Sequence, residues 1–63
     1  MKTSLEIIED ASKILVEYAR KYDVRNKDTI KTIARNVPEF KGLSSGLLVD
    51  IVNFAHEKIL KNT

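Results

Sequence analysis

Apolar residues return every three or four positions along the first third of the chain. Leu5, Ile8, Ala11, Leu15, Val16, Ala19 and Tyr22 fall on one arc when each residue advances by about 100°, and Ile7, Ile14 and Tyr18 widen that arc sideways. Glu6, Glu9, Asp10, Lys13, Glu17, Arg20 and Lys21 fill the opposite side. There Glu9 precedes Lys13, and Glu17 precedes Lys21, at the favourable acid-first spacing of four. Thr3 followed three residues later by Glu6 makes a capping box just ahead of this run. The pattern predicts a first helix from Ser4 to about Tyr22.

Asp23-Val24-Arg25-Asn26 breaks the period, and Asn26 can accept from a free amide of a second helix starting at Lys27. Ile30, Ile33, Ala34 and Val37 mark its stripe, and it ends near Asn36 because Pro38 disfavours helical geometry at the residue before it. The joint before it is short, so the first two helices are neighbours. In the longer joint from Pro38 to Leu43, Phe40 and Leu43 turn inward as plugs, and Gly42 is read as a turn residue. Ser44 or Ser45 caps a third helix that runs to about Lys61. Leu47, Leu48, Ile51, Val52, Phe54, Ala55 and Ile59 cover one broad face of that helix. Val49 and Leu60 project from another side, and Asp50, Asn53, Glu57 and Lys61 form its polar strip.

The expected fold is therefore all-α: one domain over residues 1–63, a small three-helix bundle with helices at about 4–22, 27–36 and 45–61. A chain of 63 residues buries only about 60% of the surface its unfolded form exposes. No cysteine is present and His56 is the sole histidine, so neither a disulfide nor a protein-only zinc site reinforces it. Ile7, Ile14, Tyr18, Val49 and Leu60 are then more apolar surface than one copy can hide, which predicts a protein interface and a homodimer.

Charge changes this picture in one place. The net +2 conceals −2 over residues 1 to 19, +4 over residues 20 to 41 and neutrality thereafter. The basic middle is carried by Arg20, Lys21, Arg25, Lys27, Lys31 and Arg35, with Lys27, Lys31 and Arg35 spaced by four along one side of the second helix. Such a strip can follow a phosphate backbone, or simply solvate a short amphipathic helix. Thr29-Ile30-Lys31-Thr32-Ile33-Ala34-Arg35-Asn36, followed by Gly42-Leu43-Ser44-Ser45, resembles the first helix and turn of the helix-turn-helix DNA readers. The resemblance covers less than half the chain and implies a DNA-binding regulator. Val37 to Lys41 make the joint longer than that family's turn of three or four residues. The helix after it offers Ser44, Ser45, Asp50 and Asn53 rather than a row of basic or amide side chains.

Candidate chemistry is sparse. His56 lies mid-helix between Val52 and Leu60 and reads as a boundary residue. Glu6 and Asp10 share a solvated face with Lys13 and Glu17, and the only glycines, Gly42 and Gly46, build no phosphate loop. The expectation is a non-enzymatic regulatory or adaptor protein without cofactor, metal or small-molecule substrate. Membrane insertion is not expected, because no apolar run, Leu47-Leu48-Val49 included, approaches the roughly 20 residues of a spanning helix, and a membrane-surface role is not expected because the first helix has an acidic polar face and the third a mixed one. Met1-Lys2-Thr3-Ser4 leads straight into a charged stretch with no signal-peptide core, so a cytoplasmic address is expected.

Overall fold

A computed structural model describes residues 3–61 of the chain. These form a compact bundle of three α-helices with no strand among the described residues: α1, Ser4–Lys21; α2, Lys27–Asn36; and α3, Ser45–Lys61. A single 3₁₀ turn, Pro38–Phe40, interrupts the second joint.

Each start signal works through a specific hydrogen bond. The Thr3 side chain accepts from the Glu6 amide at 3.2 Å, and Asn26 Oδ1 accepts from the amides of Asp28 at 2.8 Å and Thr29 at 3.4 Å. Of the two serines before α3, Ser44 does the capping, its Oγ accepting from the Leu47 amide at 3.3 Å. These bonds engage amides that have no partner inside the helix. The end of α1 is equally defined. The Val24 amide donates to the Ala19 carbonyl at 2.8 Å and the Asp23 amide to Arg20 at 3.2 Å. That pair of bonds is a Schellman closure, with Asp23 in the left-handed region at φ 53°. Val24, the residue just beyond it, packs against the core.

The core is formed by Ala11, Leu15, Val16 and Ala19 of α1, Ile30 and Ala34 of α2, and Ile51, Val52, Ala55 and Ile59 of α3, closed by Val37 and Phe40. Phe40 is buried as a plug, and Leu43 packs against the core half-buried. The 3₁₀ turn places them: Pro38 sets the backbone at its start, and the Phe40 amide donates to the Val37 carbonyl at 3.1 Å. Gly42, at φ 92°, then turns the chain toward α3.

Three side chains depart from the sequence pattern. Leu5 and Tyr22, both on the expected inward arc of α1, are each 58% exposed. Leu5 sits in the first turn. Tyr22 is the residue at which α1 stops, so the period no longer governs its direction. Ser12 is fully buried among apolar neighbours, and its hydroxyl donates to the Glu9 carbonyl at 2.8 Å, which removes the penalty of burying it.

Helix lengths decide what the bundle covers. At about 1.5 Å per residue, α1 and α3 are about 27 and 25 Å long, while the ten residues of α2 reach only about 15 Å. α1 and α3 share the largest interface, and α2 makes a smaller one with each.

Candidate interaction surfaces

Three hollows lie between the helices. Tyr18 and Tyr22 of α1 line one with Thr29, Thr32, Ile33 and Asn36 of α2 and the Val37 that follows it. Lys31, Ala34 and Arg35 of α2 line another with Ser45, Leu48, Val49 and Val52 of α3. Leu5 and Ile8 line a third with Asp50, Asn53, Phe54 and Glu57. The first turns of α1 thus lie beside the middle of α3, in a hollow to which α2 contributes no residue.

The five residues expected to form an apolar interface divide accordingly. Ile7 is 38%, Val49 43% and Leu60 53% exposed. Ile14 and Tyr18 are half-buried against the core, and Glu39 of the 3₁₀ turn approaches them in a shared hollow with Glu17 and Lys21. Leu5, which the pattern assigned to the interior, is exposed along with Ile7 and Leu60. Phe54 is half-buried, and the ammonium of Lys58 lies 5.1 Å from its ring centroid, covering part of the ring.

All six cations of the basic middle are exposed. They lie on three segments: Arg20 and Lys21 at the end of α1, Arg25 in the first joint, and Lys27, Lys31 and Arg35 on α2. Lys31 and Arg35 flank the hollow of about 90 Å³ against the start of α3, with the apolar side chains of Leu48 and Val49 beside them. Lys21 belongs to the Glu17 and Glu39 hollow and lies 5.9 Å over the Tyr22 ring. Arg20 is in the last turn of α1 and Arg25 is in the first joint.

Asn53 escaped sequence reasoning. The pattern assigns it to the polar strip of α3, yet it is half-buried, and its Oδ1 is shielded from water with no hydrogen-bond partner among the described residues. His56, one turn further on, is half-buried as expected of a boundary residue. No described helix is long and apolar enough to cross a membrane.

Compared with known proteins, the chain matches no family model, no curated sequence and no solved structure. Its functional reading rests on the chemistry of its own surfaces.

Proposed function

We propose that this chain is a non-enzymatic interaction protein of the regulatory or adaptor kind, acting through exposed apolar side chains of α1 and α3 and associating with itself. One observation carries the reading: Leu5 and Ile7 of α1 and Val49 and Leu60 of α3 are exposed on a chain of 63 residues. Exposed apolar side chains are ordinary when scattered singly, and a surplus of them on one small domain supports an interaction surface.

Sedimentation velocity across a concentration series tests the reading. The wild-type chain sediments as a reversible dimer, and Leu60→Glu shifts it to monomer without loss of helicity, since a charge at an exposed position costs the fold roughly 0.5 kcal/mol or less. A wild-type chain that remains monomeric throughout the series contradicts it.

A second reading, a small nucleic-acid-binding regulator, is favoured by the placement of Lys31 and Arg35 beside the first turn of α3. Its signature is retention on a DNA column that weakens steeply with salt. Replacing Lys27, Lys31 and Arg35 by alanine lowers both retention and its salt dependence. Retention indifferent to salt and to these substitutions rules it out.

A further inference from the structure

α3 is flanked by two hollows of opposite charge. On its α2 side Lys31 and Arg35 line a hollow with Ala34, Leu48, Val49 and Val52, and no described carboxylate lines it. Ala34 and Val52 are buried and form its floor, while Val49 is 43% exposed at its rim. On its α1 side Asp50 and Glu57 line a hollow with Leu5, Ile8 and Phe54, and no described cation lines that one. Leu5 is exposed at its rim, and Lys58 is engaged on the ring of Phe54. Lys31, Arg35, Asp50 and Glu57 are all exposed, and none has an ion pair among the described residues.

The cations of α2 are spaced against the stability of their own helix. Lys27, Lys31 and Arg35 repeat at four, where like charges repel, in a ten-residue helix too short to hold itself. α1 sets acid before base at that spacing instead, as Glu9 to Lys13 and Glu17 to Lys21. Carboxylates from outside the chain relieve the repulsion. A phosphate backbone engages such cations alone, whereas the acidic hollow of a second copy brings an exposed leucine as well as two carboxylates to the exposed valine between them.

We infer that the basic hollow of each copy receives the acidic hollow of the other, so that Lys31 and Arg35 meet the partner's Asp50 and Glu57, and Val49 meets the partner's Leu5. The inference rests on the self-association proposed above and specifies which surfaces meet. Both contacts form within one pair. Val49 and Asp50 are successive residues, about 100° apart round α3, so the hollows lie on either side of one helix and a half-turn exchanges them, as a closed two-fold dimer requires. The acidic hollow spans residues 50–57 of α3 and the basic one residues 45–52, an offset of five residues or about 7.5 Å. The two-fold axis is therefore inclined to α3. Opposite charges meeting at exposed positions give an affinity that falls with ionic strength.

Charge reversal reads the contact. Lys31→Glu with Arg35→Glu makes both hollows acidic, and Asp50→Lys with Glu57→Lys makes both basic. Each variant is checked for helicity by circular dichroism and followed by sedimentation equilibrium, alone and in an equimolar mixture. The expected result is a dimer at least about tenfold weaker for either variant alone, and recovery of twice the chain mass in the mixture, where every contact again joins opposite charges. Neutral replacement, Lys31→Gln with Arg35→Gln, weakens the dimer roughly three- to tenfold and takes the place of a reversed variant that loses helicity. The wild-type dimer weakens between about 0.05 and 0.5 M salt, and Lys13→Ala on the outer face of α1 leaves it unchanged. A wild-type dimer indifferent to salt, to reversal and to neutral replacement overturns the inference and leaves self-association intact. So do reversed variants that stay helical yet monomeric when mixed while the wild type dimerises. Loss of retention on a DNA column on reversing Lys31 and Arg35, with the dimer unaffected, assigns the cations to phosphate and also overturns it. A wild-type monomer at every concentration overturns both the inference and the self-association.

Discussion

Asp23 is the one described non-glycine residue with a left-handed backbone, and it holds that conformation because the Schellman closure of α1 demands it. Glycine adopts this geometry without a Cβ penalty. Asp23→Gly is therefore expected to raise stability by about 0.5–1 kcal/mol, seen as a higher Tm in thermal unfolding. An unchanged or lower Tm shows that the aspartate contributes something the backbone account omits. Asn26 offers the opposite test. Its Oδ1 serves two amides of α2, so Asn26→Ala costs about 1 kcal/mol, measured by urea unfolding. At the centre of the core, Leu15 is fully buried, and Leu15→Ala costs about 3 kcal/mol. At roughly 0.05–0.15 kcal/mol per residue the whole chain is stable by about 3–9 kcal/mol, so this one truncation leaves much of the population unfolded. Full cooperativity and an unchanged urea midpoint in that variant contradict the assigned core.

At the scale of elements, the helices were legible because their caps are chemical signals that act locally. Thr3, Asn26 and Pro38 each mark a boundary through bonds or clashes within a few residues, and the structure places the boundaries there. Burial was legible only in the interior of each helix. Leu5 and Tyr22 sit on the apolar arc of α1 by period, but one lies in the first turn, at an open hollow beside α3, and the other lies where the helix has ended. Neither fact is encoded in a period of 3.6. Ser12 shows the reverse case, since its spacing of four from Val16 and seven from Ala19 is that of a core position, and residue type alone hides it. Of the candidate site, the apolar excess was legible and its distribution was not. Ile14 and Tyr18 are partly covered by packing against the core, beside a hollow they share with Glu39 of a 3₁₀ turn that no sequence period announces. The length of α2 is likewise fixed by Asn26 and Pro38. α2 cut out as a peptide is too short to hold helix in water, so circular dichroism of residues 26–37 alone should show coil. Substantial helix there indicates that α2 owes little to its packing.

For the whole molecule, two long helices and one short one leave Leu5, Ile7, Tyr22, Val49 and Leu60 exposed. Charge is spread unevenly along the chain, −2 over residues 1–19 and +4 over residues 20–41. On the proposed reading, a second copy covers part of that apolar surface. The most direct measurement is sedimentation equilibrium on the wild-type chain and on Leu60→Glu, from low micromolar to millimolar concentration. The account predicts a wild-type mass that rises from monomer to twice that value with concentration, and a variant that stays folded and monomeric. A wild-type mass fixed at one chain over the entire range, with helicity intact, contradicts it.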